Sequence, residues 1–371
     1  MSNPLSREPT VLLTPGPVSV DAAVLDALAR PVRPHYGASW AQRYGSVCQS
    51  LAEVFGTRED VMLVFGPGTA ALEMAMASAL APDDEIIIPG TGRFARRLIA
   101  VAKAIGLDVH TIDVALHQPL SRVELQDALE RHPGTRAVAL VHHETGLGLM
   151  NPIEELCRVT RDAGALTIVD AVSSLGGVEV AMDNWGIDIC AGVANKCLGA
   201  PIGVAPLAVS ERAWKAVDDG RAKCAGWYLN LATWREASTT RPLHPHPTTM
   251  ATSVIEGLSA ALDRLLEEGI SATFKRHADA SARVRSGLRE LGFELVVDDS
   301  AASPLTTAVY APAEMNVADY MNWLEQEHGL LIAGAFDELA TKAFRVGHMG
   351  VASEMSVVER YLAATQAYRE R

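Results

Sequence analysis

Between residues 60 and 210, the sequence alternates short apolar, often β-branched runs with segments of helical periodicity. The runs are apolar on both sides and bounded by glycine, proline or aspartate, which is typical of strands covered on both faces. Helical patterns lie between them, as at 69–80 and 153–164, and favour an α/β fold with a mostly parallel sheet and helices on both faces. Seven strands are predicted, at 61–65, 85–89, 108–114, 136–142, 166–170, 188–192 and 203–210.

The sequence after this sheet predicts a second, smaller α/β unit. Residues 211–250 are rich in Trp, Thr, Pro and His and are predicted to be irregular. Helical patterns follow at 252–269 and 271–291, and then two strands, a helix, a strand and a terminal helix. We therefore expect an N-terminal arm (1–20), a large domain (21–254) and a small C-terminal domain (255–371).

Composition excludes several classes of protein. Of the 371 residues, 49% are hydrophobic and 21% are charged, as in an ordinary globular chain and not a disordered one. The formal net charge is −13 and no basic tract is present, which argues against nucleic-acid or anionic-membrane binding. A bound anion must therefore be held by a local group of donors.

The cysteines and the N-terminal segment predict a cytoplasmic protein. The five cysteines are scattered and form no Cys-x-x-Cys pair, so neither a disulfide framework nor a zinc site is predicted. The first ten residues lack the apolar core of a secretory signal, and no apolar run is long enough for a membrane span. The cysteines are Cys48, Cys157, Cys190, Cys197 and Cys224.

A carboxylate and a lysine follow two successive predicted strands. Asp170 ends one strand, where side chains of a parallel sheet point into the ligand crevice, although it could equally cap a helix or pair with a base. Lys196 lies in the otherwise uncharged segment 192–203, where it could extend its charged end to solvent. If it is buried instead, its pKa would fall and the amine would be free to react with an aldehyde. The pair predicts a pyridoxal phosphate site, in which Asp170 keeps the pyridine nitrogen protonated and Lys196 holds the aldehyde.

Other residues would complete such a site. Segment 65–75 reads as a strand, a glycine-rich turn and a helix with Thr69 near its start, and amides at a helix N-terminus bind phosphate. Phe94 could stack on the cofactor ring or belong to the core. Val172 would pack on the opposite ring face, and the hydroxyl of Thr145 could bond the 3-oxygen of the pyridine.

Arg345 lies in an apolar stretch of a predicted strand. A buried guanidinium needs an anionic partner, which could be an internal carboxylate or the carboxylate of a substrate. Its planar fork favours the second interpretation. His348 nearby is interpreted as structural. No metal site is predicted at His142 and His143, because neighbours on a strand point to opposite faces.

These segments resemble the class V, fold-type I aminotransferases of the alanine–glyoxylate and serine–pyruvate group. The resemblance follows the order of the family's motifs over almost the whole chain. The matching segments are LLTPGPV, GPGTAALE, GRFARR, VDAVSSLGG, NKCLGAP and RVGHMG.

The resemblance implies a role for each motif. Lys196 would be the lysine that carries the cofactor, and Asp170 the partner of the pyridine nitrogen. Phe94 would be the stacking residue and Arg345 the clamp for the substrate carboxylate. The first motif carries Gly16, which is expected at the substrate. The phosphate ligands would be Gly68 and Thr69.

The resemblance also implies a homodimer with shared active sites. A loop of one subunit would reach the phosphate in the other, and Thr249 stands at the contacting position. Relatives often carry a tyrosine nearby, where this chain has His246.

Within the family, the local motifs are most similar to pyridoxamine–pyruvate aminotransferase, which binds free pyridoxamine as a substrate. That subgroup carries a glutamate in the glycine-rich loop and a second arginine before the clamp. Pro67 and Phe336 occupy those positions here. Because a glutamate there would repel phosphate and this chain lacks it, pyridoxal phosphate is the expected cofactor.

The sequence therefore predicts an aminotransferase that moves an amino group from a small amine or amino acid to pyruvate or glyoxylate. The alternatives are a pyridoxamine–pyruvate aminotransferase and a pyridoxal phosphate-dependent lyase on the same scaffold. A non-catalytic binding protein is disfavoured because Lys196 and Arg345 are both present. The amino donor is not identified; residues that could select it are His35, Tyr36, Trp227, Tyr228 and Phe336.

Overall fold

The computed structural model describes residues 10–90, 92–222 and 226–371, so that Cys224 lies outside the described residues. The strands are β1 (Val11–Leu12), β2 (Asp60–Phe65), β3 (Glu85–Pro89), β4 (Asp108–Ile112), β5 (Ala137–Val141), β6 (His143–Glu144), β7 (Leu149–Met150), β8 (Leu166–Asp170), β9 (Ile189–Ala191), β10 (Val204–Val209), β11 (Glu294–Leu295), β12 (Thr306–Tyr310), β13 (Leu330–Leu331), β14 (Ala333–Gly334) and β15 (Ala343–Gly347). The helices are α1 (Ala22–Leu28), α2 (Ala38–Phe55), α3 (Gly68–Ala79), α4 (Gly92–Ala104), α5 (Arg122–Arg131), α6 (Ile153–Asp162), α7 (Met182–Trp185), α8 (Glu211–Asp218), α9 (Leu231–Thr240), α10 (Thr252–Glu268), α11 (Ile270–Glu290), α12 (Val317–His328) and α13 (Met355–Arg369).

A seven-stranded sheet of order β2-β10-β9-β8-β5-β3-β4 forms the centre of the molecule. All its strands run parallel except β10, which is antiparallel to both neighbours. This confirms the predicted mostly parallel sheet. Strands β5 and β8 are buried along their whole length, as the apolar runs indicated. Because parallel strands end at the same sheet edge, the loops after β3, β5 and β8 converge there.

A second sheet of order β11-β12-β15-β14 is antiparallel throughout. Helices α11, α12 and α13 cover it and share a second hydrophobic core with its strands. The N-terminal segment joins this unit, since β1 pairs with β13 in parallel. The segment then continues to the edge of the large sheet where the strands end.

Helix α10 packs against α1 and α2, and its buried side chains belong to the core of the large sheet. The apolar side chains in the later turns of α11 belong instead to the second core, beside the smaller sheet. The division at residue 254/255 remains a prediction. This packing favours a boundary after α10, and we propose one near Gly269.

The segment 211–250, predicted to be irregular, contains two helices, and that prediction was wrong. The Ser210 side chain caps α8 by accepting from the amide of Ala213, and Trp214 is buried. The Asn230 side chain caps α9, which buries Trp234. Aromatic and threonine residues are weak helix formers, so the helices depend on their caps and tertiary packing more than on propensity.

In the part of the chain that the structure describes, no helix combines the length and apolar character needed to cross a bilayer.

Candidate active site

Lys196 projects toward the N-terminal segment at the carboxyl edge of the large sheet. Its Nζ donates a hydrogen bond to the carbonyl of Pro15. Gly16 follows in a left-handed conformation with φ of 96°. A Cβ on Gly16 would overlap the lysine Cδ and would lie 2.5 Å from Nζ. The position therefore needs glycine, both for its backbone and for the space that the lysine fills.

Burial lowers the pKa of Lys196 to about 8. The neighbouring Arg345 and Arg97 contribute to this shift, while Cys197 and Asp170 oppose it. A lysine in this state provides the neutral amine much more readily than a solvated one does. It is therefore suited to attack an aldehyde or to accept a proton.

Asp170 ends β8 in register with Val141 of β5, and its side chain is buried. One carboxylate oxygen, Oδ1, accepts a hydrogen bond of 3.0 Å from the amide of Val172. Burial raises the pKa of Asp170 to about 6, against the opposing effects of that amide, Arg97 and Lys196. A protonated ring nitrogen beside this carboxylate would hold it ionised.

The start of α3 presents the backbone amides of Gly68 and Thr69 to the same region. Its N-cap residue, Pro67, makes no side-chain hydrogen bond to the first turn. Gly68 is buried against Val172, and a Cβ on Gly68 would overlap the valine methyl group. Thr69 is half-buried beside it. Amides and a hydroxyl at a helix N-terminus are the donor set that binds a phosphate group.

Phe94 lies in the first turn of α4 and is half-buried. The guanidinium of Arg97 lies 4.9 Å from the centre of its ring. The backbone amide of Phe94 donates a hydrogen bond of 2.9 Å to Oε2 of Glu144. Glu144 is a buried residue that sequence reasoning missed. The rule that identified Asp170 could have found Glu144 as well, because it follows the carboxyl end of β5.

Arg345 lies on β15 and is buried at the junction of the two sheets. Its Nε donates to the carbonyl of Gly334 at 2.8 Å, and Nη1 donates to the carbonyl of Thr145 at 3.2 Å. Among the described residues, no carboxylate forms an ion pair with it. Burial lowers its pKa to about 10, and its remaining donors are available to an anion.

The Phe336 ring covers the guanidinium of Arg345, with 3.9 Å between the guanidinium carbon and the ring centre. Arg93 from the first turn of α4 lies 4.3 Å from the same ring centre. Of the residues considered as selectors of the amino donor, Phe336 is therefore in contact with the clamp.

Other predicted residues lie apart from this group. Thr249 is exposed on the surface of the chain, and its contact with a neighbouring subunit remains a prediction. His246 is buried, where its Nε2 accepts from the indole of Trp40 at 2.8 Å and its Nδ1 bonds the carbonyl of Thr248. Tyr36 is exposed, and its neighbour His35 packs near His246.

Two buried histidines near the site form hydrogen bonds with the protein, although Nε2 of His143 has no hydrogen-bond partner among the described residues. His348 bonds the carbonyl of Pro304 through Nδ1 and the hydroxyl of Thr307 through Nε2. His143 lies 3.3 Å from the carbonyl of Ser173 through Nδ1. The geometry around His348 agrees with a structural histidine.

One group of possible metal ligands lies at the other end of the sheet. Glu85, His110 and His132 bring ligand atoms within 4.8 Å of one another. The two imidazole rings stack almost parallel, with centres 3.7 Å apart. Because a metal must lie in the plane of each ring that binds it, stacked rings cannot share one ion, and the arrangement does not favour a metal site.

The residues at the carboxyl edge fit a phosphorylated pyridine aldehyde. An amine of lowered pKa, a buried carboxylate and a helix N-terminus surround one region, and a guanidinium without a carboxylate partner adjoins it. The absent Cβ atoms at Gly16 and Gly68 provide the space that this arrangement needs.

Comparison with known proteins points the same way. The family model described as aminotransferase class-V matches residues 25–335. The (S)-ureidoglycine–glyoxylate transaminase of Bacillus subtilis is 31% identical, over 96% of this chain and 89% of the relative. The pyridoxamine–pyruvate transaminase of Mesorhizobium japonicum is 31% identical, over 94% of this chain and 89% of the relative. The crystal structure of an alanine–glyoxylate aminotransferase from Nostoc sp. superposes with a TM-score of 0.94 at 31% identity, covering 100% of this chain and 98% of the other.

Proposed function

The chain belongs to the class-V aminotransferase family, and on this basis we propose that it binds pyridoxal 5'-phosphate and transfers an amino group to a small 2-oxo acid, pyruvate or glyoxylate. The donor would be a small amine or amino acid. One observation carries the proposal: the buried amine of Lys196 and the guanidinium of Arg345, which has no carboxylate partner among the described residues, border one region. The first can hold an aldehyde, and the second can hold a substrate carboxylate.

The cofactor supplies, when bound, an electron sink for the bond that breaks at the substrate Cα. The Asp170 carboxylate would keep the pyridine nitrogen protonated. The Lys196 amine would remove the proton from the substrate Cα as a general base and deliver it to the C4′ carbon of the cofactor as a general acid. Phe94 and Val172 would hold the two faces of the ring.

The phosphate would be held without a basic side chain. The amides at the start of α3 and the hydroxyl of Thr69 supply donors, and the helix dipole favours an anion at this end. Pro67 brings no negative charge to this turn, which favours a phosphorylated cofactor over free pyridoxamine as the ligand. The Thr145 hydroxyl would form a hydrogen bond with the 3-oxygen of the pyridine ring.

We also propose a homodimer with shared active sites, in which Thr249 reaches the phosphate of the neighbouring subunit. Large apolar side chains are exposed beside the start of α3, which supports this assembly. Phe65 and Ile202 are both exposed, and a second copy of the chain would cover them. The hydroxyl of Tyr228 bonds the carbonyl of Phe65 and so braces this surface. A cytoplasmic location is part of the proposal, because the described cysteines are unpaired.

A lyase on the same scaffold is the alternative. It would use the same lysine and aspartate, so the products of the reaction distinguish the two. A desulfurase is disfavoured, because Cys197 is buried, its thiol donates to the carbonyl of Ser173 and burial raises its pKa to about 12. Such a thiol supplies little thiolate at neutral pH.

An amino-donor screen with pyruvate and with glyoxylate tests the proposal. Purified protein is supplied with pyridoxal phosphate and one donor, first without any oxo acid and then with it. An aminotransferase consumes about one equivalent of donor per site and then stops, and it turns over only when the oxo acid is added. Steady product release from donor alone would show a lyase, and no reaction with any donor would overturn both.

A further inference from the structure

Glu144 is a fully buried carboxylate that the proposed chemistry does not use. Each of its oxygens accepts one backbone amide. Oε2 accepts from Phe94 at 2.9 Å, and Oε1 accepts from Gly146 at 2.9 Å. The two amides come from segments far apart in the chain, the first turn of α4 and the loop after β6.

Each segment carries a part of the candidate active site. The first presents the ring of Phe94. The second presents the carbonyl of Thr145, which accepts a hydrogen bond from Arg345. The single side chain of Glu144 therefore joins the residue predicted to stack on the cofactor with the loop that anchors the predicted clamp.

The packing around Glu144 is close. A Cβ on Gly92 would overlap its carboxyl group, and a Cβ on Gly146 would lie 2.8 Å from Oε1. Two glycines thus let the backbone approach the carboxylate from both sides. A side chain of another shape would not fit between these segments without moving one of them.

Charged groups on several elements face this carboxylate. Arg345 on β15 and Arg96 on α4 attract it, and Asp170 at the end of β8 repels it. The N-terminus of α4 also favours a negative charge. Burial nevertheless raises the pKa of Glu144 to about 7, against the two amide hydrogen bonds.

We propose that Glu144 is a positioning residue that fixes the Phe94 segment relative to the Arg345 clamp, and that only its ionised form does so. An ionised carboxylate offers two acceptor oxygens to two amides. A protonated carboxyl, or an amide in its place, turns a donor toward one of them, so one of the two segments is released. The proposal rests on the proposed function, since it concerns the same site.

Hydrogen exchange of the protein with its cofactor tests the contact directly. The amide of Phe94 lies in the first helical turn and has no partner within the helix, so its protection reports on Glu144. In Glu144→Gln, we expect peptides covering 92–97 or 143–148 to exchange about tenfold faster, as loss of one hydrogen bond allows. Asp188→Asn is the matched control, because Asp188 is a buried carboxylate that accepts the amide of Thr167 at the opposite sheet end.

Steady-state kinetics test the consequence. In the wild-type protein, KM for the oxo acid should rise as the pH falls below about 7, where Glu144 takes up its proton. In Glu144→Gln, that KM should be raised about tenfold at every pH, so that the ionisation disappears from the profile. Gly146→Ala, which crowds Oε1 without removing the charge, should raise KM in the same direction.

The proposal is overturned if Glu144→Gln keeps wild-type exchange in both peptides, or if Asp188→Asn alters exchange and KM as much. If Glu144→Gln does not fold, Gly146→Ala and the wild-type pH profile decide the question. The proposal is then overturned if Gly146→Ala has the wild-type KM and the KM of the wild-type protein shows no ionisation near pH 7. If wild-type protein catalyses no amino transfer, the proposed function fails, and the exchange experiment still decides whether Glu144 holds the two segments.

Discussion

Gly16 lies directly against the side chain of Lys196, so that a Cβ at position 16 would come within 2.5 Å of the lysine Nζ. The two residues are far apart in the sequence, yet the backbone of the N-terminal segment forms one wall of the space that the amine occupies. The carbonyl of Pro15 in the same segment accepts its hydrogen bond. The position of the Lys196 amine therefore depends on the N-terminal segment, in which position 16 has no room for a side chain.

Gly16→Ala should displace Lys196 and lower the rate of amino transfer by about a hundredfold or more, since misplaced catalytic groups have effects of that size. The change also places alanine at φ of 96°. Gly37→Ala is the control, because Gly37 has φ of 91° but open space where its Cβ would lie. Both variants should lose about 1–2 kcal/mol of unfolding free energy from backbone strain, but only the first should lose activity.

Borohydride should fix pyridoxal phosphate to Lys196 in the wild-type protein, because the lowered pKa of that lysine makes its amine reactive. Lys196→Ala should give no labelled peptide and no visible absorbance from a lysine-bound cofactor. Lys215→Ala, at an exposed lysine on α8, should label as the wild type does. A reducible adduct on another residue of Lys196→Ala would defeat the assignment.

Arg345→Lys should lower activity with pyruvate or glyoxylate by about ten- to a hundredfold, because lysine keeps the charge but loses the planar fork. Cofactor affinity should stay the same, since the phosphate donors lie on the large sheet's side of the site. Arg283→Lys, in a surface pair with Glu359, is the control. The half-reaction with an amine lacking a carboxylate should suffer less than the half-reaction with the oxo acid; equal losses in both would contradict the clamp.

Thr249→Ala should weaken cofactor binding by about 1 kcal/mol, the contribution of one modest hydrogen bond, if the threonine reaches the neighbour's phosphate. The cofactor dissociation constant, measured by equilibrium dialysis, gives this directly. Thr240→Ala at the end of α9 should leave it unchanged. Sedimentation should show at least a dimer, and a fully active monomer would be incompatible with the shared site.

Asp170→Asn should make the cofactor-free protein more stable at neutral pH while abolishing amino transfer. The folded pKa of Asp170 is raised by burial from 3.8 to about 6, so the folded state binds more protons than the unfolded state within that range. Wild-type stability therefore falls as the pH rises through this window. Between pH 4 and pH 7, the free energy of unfolding measured in urea should fall less steeply in Asp170→Asn than in the wild type. Asp279→Asn is the control, because Asp279 is an exposed carboxylate on α11. An identical slope in Asp170→Asn would contradict the shift.

Much of the fold and part of the candidate site followed from local sequence. The apolar runs predicted the strands of the large sheet, because a strand buried on both faces must be apolar wherever it lies. The rule that ligands meet the carboxyl ends of parallel strands then indicated Asp170, and the affinity of helix N-termini for phosphate indicated the glycine-rich turn before α3. These inferences need only neighbours in sequence, so they needed no knowledge of the packing.

Only the tertiary structure decided how distant segments meet. The sequence does not show that Glu144 bonds the amide of Phe94, nor that Phe336 covers Arg345, because neither contact has a local pattern. Helices α8 and α9 were missed for a related reason, since their stability comes from buried Trp214 and Trp234 rather than from propensity. Close contacts between elements arise when whole surfaces pack together, and a periodicity along one segment does not specify the surface it will meet.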